Sequence, residues 1–165
     1  MESLPPPTRT RHKVLLFTLA LTAVSYLDRV CISMAGPFIQ NDLGISDKHM
    51  GLIFGAFTFA YAAFEVPAGW LADRCGPRLM LPRVVLWWSA MTAATGCAGG
   101  FTSLFILRFL FGIGEAGTFP GISRAFSRWL REPTHGHAFG LAIMTALFVA
   151  RFDLRRHHEL GGDDR

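Results

Sequence analysis

Apolar residues run in long blocks along this chain, separated by short polar or basic punctuation. The first block extends from Val14 to Gly36 and stops at Pro37. Crossing the hydrocarbon of a bilayer takes about 20 predominantly apolar residues, and residues 14–36 supply them. A polar connection, 38–49, reads FIQNDLGISDKH, and its Ser46-Asp47 marks the start of the next helix. The second block, 50–72, carries Gly51 and Gly55 in a small-xxx-small register that lets another helix come close. DRCGPRLMLPR, 73–83, reads as a basic turn, and the third block, 84–101, has Trp87 and Trp88 near its start. A turn around Thr102 leads to the fourth block, 104–126. SRWLREPTHGH, 127–137, is another basic connection, and a fifth apolar run occupies 138–150. The pattern predicts an all-α membrane protein with four complete transmembrane helices and a truncated fifth.

The two ends differ from the middle. Residues 1–13, with three consecutive prolines and then Arg9, Arg11, His12 and Lys13, read as a basic leader on the cytoplasmic side. The fifth run rises about 20 Å, short of the roughly 30 Å hydrocarbon core. It gives way to RFDLRRHHELGGDDR, 151–165, where charges and histidines dominate. We expect 14–150 to be a partial transmembrane domain and 151–165 to be a non-native tail left by a truncation or a frame change. The first block is no signal peptide: it is too long, carries Asp28-Arg29 and has further spans behind it.

Composition agrees with a membrane class. Hydrophobic residues make up 51% and charged residues 17%, and the charges are clumped. The net charge of +4 does not indicate a nucleic-acid partner, because the basic residues stand in short clusters between apolar runs. The clusters at 9–13, 74–83 and 124–131 fall on one side of the membrane and Lys48 alone on the other. That excess sets the N-terminus in the cytoplasm. Cys31, Cys75 and Cys97 show neither metal-ligand spacing nor a disulfide framework, and no cofactor is implied.

RFLFGIGEAGTFPG, 108–121, contains a G-x-G-x-x-G match at Gly112, Gly114 and Gly117. A dinucleotide loop needs a strand before it, a βαβ unit around it and an acid some 20 residues on. The preceding FTSLFILRFLF is continuous with the glycines, and THGHAF follows where the second strand should be. A membrane helix explains more, since its glycines clear space for a neighbour or a substrate. Arg108, Gly112 and Glu115 share one face, which predicts a cation and an anion with a gap between them. An ionisable group near mid-bilayer is costly unless it meets a cavity or a partner.

Asp28-Arg29 is the second charged feature. Asp28 lies about 21 Å along a helix begun at Val14, and adjacent residues point about 100° apart. Arginine keeps its charge and presents a fork that fits a carboxylate, whereas a carboxyl group can take up and release a proton. An arginine for an anion and a carboxyl for a proton are what proton-coupled anion uptake requires. Tyr26 and Tyr61 can offer hydroxyls to a polyhydroxy substrate. In GWLADRCGPR, 69–78, Asp73 can bond backbone N–H groups at the next helix start, Gly76 permits a tight turn, and Arg74 and Arg78 hold the loop in the cytoplasm.

GWLADRCGPR resembles the loop signature between helices two and three of the major facilitator superfamily. YLDR, 26–29, with RFLFGIGEAGTFPG, is similar to the anion:cation symporter branch, which includes galactonate, glucarate and hexuronate permeases. The resemblance spans about 14–144 and implies proton-coupled uptake of an organic anion, such as a sugar acid. It assigns substrate binding to Arg29 and Tyr61, which Tyr26 would join by its own hydroxyl, and proton handling to Asp28 and Glu115, with Arg108, by its position, pairing with or tuning that site. Gly69, Asp73, Arg74, Gly76 and Arg78 would form the conformational loop. Glu65 departs from the family pattern, where an amide is expected, and the coupling ion can be H⁺ or Na⁺. Family members carry about twelve helices in two halves that rock about a central site. By that measure the partner half of the transporter is missing, and the chain alone is expected not to transport. A rival class is a small membrane scaffold or regulator binding a full-length transporter through its glycine faces, with no need of Asp28, Arg29 or Glu115.

Overall fold

The computed structural model describes residues 9–129, 136–145, 147–148 and 151. Five helices are defined in chain order: α1 Arg9–Leu43, α2 Asp47–Cys75, α3 Pro77–Thr95, α4 Phe101–Glu115 and α5 Thr118–Trp129. Residues 136–145 are also helical. Three segments among the described residues are long and apolar enough to cross a membrane: His12–Leu43, Asp47–Cys75 and Phe101–Arg128. The chain divides into two compact units, one of 1–34 with 126–165 and one of 35–125. The leader at 1–8, most of the connection at 127–137 and nearly all of the tail at 151–165 lie outside the described residues.

Helix ends differ from the sequence expectations in five places. Residues 9–13 of the expected leader belong to α1. The same helix passes through Pro37 and continues to Leu43, where a stop and a polar connection were expected. A membrane helix tolerates the lost N–H of a proline, and continuing it is favourable here because Ile39 and Leu43 pack on the core cluster of Ile45, Met50, Ile53 and Leu104. The basic turn shrinks to one residue. Gly76, at φ 73° in the left-handed region that favours glycine, ends α2, and its N–H donates to the Ala72 carbonyl at 2.9 Å. Pro77 then opens α3, a position where its missing N–H costs nothing.

The turn expected at Thr102 falls earlier, at 96–100, and Thr102 already lies in α4. The fourth apolar block is divided into α4 and α5 at Ala116-Gly117. The helical path is kept there: Ala116 N–H donates to Gly112 O at 3.1 Å and Gly121 N–H to Gly117 O at 3.0 Å.

Within the second unit α4 packs on both α2 and α3. Near the start of α2, Gln40 Nε2 donates to Asp47 Oδ1 at 2.8 Å, Ser46 Oγ and His49 Nδ1 share a hydrogen bond at 2.9 Å, and the His49 ring lies 4.6 Å from that of Phe101. Toward the opposite end of α2, Ala72, Met80 and Val84 form a second apolar cluster with Ala68 and Leu71.

Candidate functional site

The glycines of α4 set how closely it meets its neighbours. A Cβ on Gly112 would lie 2.6 Å from the Phe57 carbonyl oxygen and 3.0 Å from Ala60 Cβ, both on α2. A Cβ on Gly114 would overlap the indole of Trp87 on α3. The gap expected between Arg108 and Glu115 is therefore filled: the backbone of α2 occupies the room that Gly112 clears. Gly51 and Gly55, where close approach was expected, have nothing within 4 Å.

Trp87 joins the two helices by a second contact, since its Nε1–H donates to the Leu110 carbonyl at 2.9 Å. Trp87→Phe keeps a ring over Gly114 and deletes that bond. We expect it to lower stability by about 1 kcal/mol, read as an earlier loss of helical circular dichroism on SDS titration in mixed micelles.

Arg108 and Glu115 are both buried, at 5% and 0% exposure. The Arg108 guanidinium lies 5.0 Å from the centre of the Phe111 ring, and its Nη2 donates to Thr95 Oγ1 at 3.4 Å. Thr95 is a contact that the sequence did not flag, because nothing in its surroundings separates it from the other small residues of α3. Tyr61 is half-buried on α2, with its ring 6.1 Å from that of Phe57. Glu65 is exposed on the same helix.

Tyr26, Asp28 and Arg29 belong to the first unit. All three are half-buried on α1, the Arg29 guanidinium stands 5.4 Å from the Tyr26 ring centre, and Asp28 Oδ2 is shut off from solvent. Leading up to them, Thr18, Thr22 and Ser25 form a buried polar stripe along α1. Two of these hydroxyls are satisfied locally, Thr18 on the carbonyls of Val14 and Leu15 and Thr22 on that of Thr18.

The loop residues sit together at the α2–α3 junction. Asp73 Oδ1 forms an ion pair with Arg124 Nε at 3.5 Å, and the Arg74 guanidinium lies 4.1 Å over the Trp70 ring. A Cβ on Gly69 would lie 3.8 Å from Pro120 Cβ. Sequence spacing suggested that Asp73 would bond the following helix start; its partner is instead a side chain of α5. Arg78 is exposed in the first turn of α3. The Asp73–Arg124 pair is exposed enough that solvent screens it.

Long apolar helices, glycine-mediated close packing and ionisable groups enclosed within the bundle define a multi-pass α-helical membrane protein. The family model of the Major Facilitator Superfamily matches residues 18–150, and the chain belongs to that superfamily. It is 41% identical over 133 residues to a probable sulfoacetate transporter of Cupriavidus necator, covering 81% of this chain and 31% of that protein. It is 36% identical over 153 residues to a probable galactarate/D-glucarate transporter of Pseudomonas putida, covering 89% and 34%. It is 38% identical over 134 residues to the hexuronate transporter of Bacillus subtilis, covering 81% and 32%. The crystal structure of a bacterial homolog to the human lysosomal transporter Spinster, inward-facing and occupied, superposes with a TM-score of 0.81 at 27% identity, over 92% of this chain and 32% of that one. The chain spans about a third of the length of the curated relatives it matches.

Proposed function

We propose that these residues form the N-terminal helices of a non-enzymatic, proton-coupled symporter of organic anions of the sugar-acid class. The protein sits in the cytoplasmic membrane with its N-terminus in the cytoplasm. The observation that carries this is the likeness to transporters named for sulfoacetate, galactarate, glucarate and hexuronate. Each of those cargoes bears a carboxylate, and the fork of Arg29 fits that group.

Tyr26 and Tyr61 offer hydroxyls to the cargo, and Asp28 and Glu115 exchange the coupling proton, with Arg108 tuning Glu115. The junction of Gly69, Asp73, Arg74, Gly76 and Arg78 forms the conformational loop. The chain matches about a third of the relatives' length, and the remaining part that those relatives carry supplies the rest of the binding site.

The test is a chimera in which residues 1–150 replace the matching part of the Pseudomonas putida relative. In proteoliposomes with an inward proton gradient it takes up labelled D-glucarate, and Arg29→Ala weakens apparent affinity roughly 10- to 100-fold, the worth of a charge-assisted contact. Uptake that follows a sodium gradient and ignores the proton gradient refutes the proton assignment. Uptake untouched by Arg29→Ala refutes the anion site.

A further inference from the structure

Thr118 is 1% exposed, and its Oγ1 makes no hydrogen bond among the described residues. Five other helical threonines behave differently. Thr18, Thr22, Thr58, Thr95 and Thr145 each donate to the carbonyl four residues back, at 2.8–3.1 Å. That is the usual way for a hydroxyl to be satisfied within a helix. Thr118 could do the same with Gly114 and does not. A buried hydroxyl left without a partner costs about 1–3 kcal/mol, so a group that spends part of its time bonded to it is the economical explanation.

Position names that group. Thr118 opens α5 three residues after Glu115, which is fully buried at the end of α4. Only a two-residue turn separates them, and Ala116 within it keeps helical angles, φ −55° and ψ −24°. Residues three apart on a helix have Cβ atoms about 5–6 Å apart and face the same way. A hydroxyl suits a carboxyl in either state, since it donates to the ionised form and accepts from the protonated one.

Other ionisable groups are less well placed. Tyr61 on α2 is half-buried, whereas Glu65, Asp73 and Arg74 on α2, the residues 47–49 at its start, and Arg78 and Arg83 on α3 are exposed. Arg108 is buried seven residues before Glu115, and Arg124 is engaged with Asp73.

We propose that Thr118 is a positioning residue whose hydroxyl hydrogen-bonds the Glu115 carboxyl and follows it through proton uptake and release. This rests on the proton role given to Glu115 above. The test is infrared difference spectroscopy, between neutral and acid pH, of the full 165-residue chain in lipid nanodiscs.

The expected result has three parts. The protonated-carboxyl C=O band that grows on acidification is a composite of the chain's twelve acidic side chains, and Glu115→Gln removes one resolved component of it. Thr118→Val moves that component to higher frequency, as losing a hydrogen bond does, and shifts its titration midpoint. Thr118→Ser keeps both at the parent values. Thr118→Ala serves in place of the valine variant if the latter loses helical circular dichroism. A Glu115 band that neither Thr118→Val nor Thr118→Ala moves, in a chain of parental helicity, overturns the proposal. Spectra in which Glu115→Gln removes no component overturn the proton role of Glu115, and the proposal with it.

Discussion

Gly112→Val pushes α2 off α4 and lowers the stability of the chain by about 1–3 kcal/mol, the usual cost of overpacking a well-filled interior. The new Cβ meets the Phe57 carbonyl oxygen at 2.6 Å, Ala60 Cβ at 3.0 Å and the Tyr61 nitrogen at 3.2 Å. Two of these three atoms are backbone, so no rotamer change relieves the clash and the helix itself has to move. That motion pulls on the tilted contact between Phe57 and Phe111, whose ring centres are 5.8 Å apart, and on the packing of Ile53 against Leu104. Gly55→Val is the matched control, since nothing lies within 4 Å of Gly55 and the same residue type is introduced into the same fold. Helical circular dichroism followed through SDS titration should separate the two variants. Equal midpoints for both would show that the α2–α4 approach is not a constraint.

The same glycines show how far the sequence could be read. Long apolar blocks are legible because the thickness of hydrocarbon imposes a length, and α1, α2 and the α4–α5 segment are found where those blocks lie. A small-xxx-small register, by contrast, says that a helix can be approached and not by what. Gly51-Gly55 and Gly112 look alike on paper, yet α2 sits on Gly112, and among the described residues a Cβ on either of the other pair would meet nothing within 4 Å. Helix ends were missed where tertiary packing overrides local signals: Pro37 and the polar letters after it suggested a stop, and burial of Ile39 and Leu43 carries α1 further.

Of the candidate site, the enclosure of Arg108 and Glu115 was foreseeable from the cost of charge in a bilayer. The contacts between distant residues were not. Thr95 under Arg108, Trp87 on Leu110 and Arg124 on Asp73 join residues distant in sequence, and no local pattern marks such pairs. Glu65 is the remaining oddity, an exposed acid on the second membrane helix. An ionisable group there is tolerable where it meets water or a polar neighbour, so lipid is the wrong medium for that face of α2.

Glu115→Gln in the chimeric transporter leaves the carrier able to move substrate and unable to concentrate it. Glutamine has nearly the shape of a protonated glutamate and cannot release a proton, so it holds the site permanently in the loaded charge state. Exchange of internal for external substrate needs no net proton movement and should continue near the parental rate. Accumulation driven by a proton gradient needs one carboxyl to bind a proton on one side and release it on the other, and should fall to the level of the gradient-free control. The pH dependence separates the variants further. Under the proton-coupled reading proposed above, parental uptake should rise as the external side is acidified, because more carriers would be proton-loaded there, whereas the glutamine variant should be flat over the same range. Parental accumulation in Glu115→Gln with an unchanged pH profile would transfer the coupling role to Asp28. In that case Asp28→Asn, measured alongside, should give the exchange-without-accumulation behaviour expected here of Glu115→Gln.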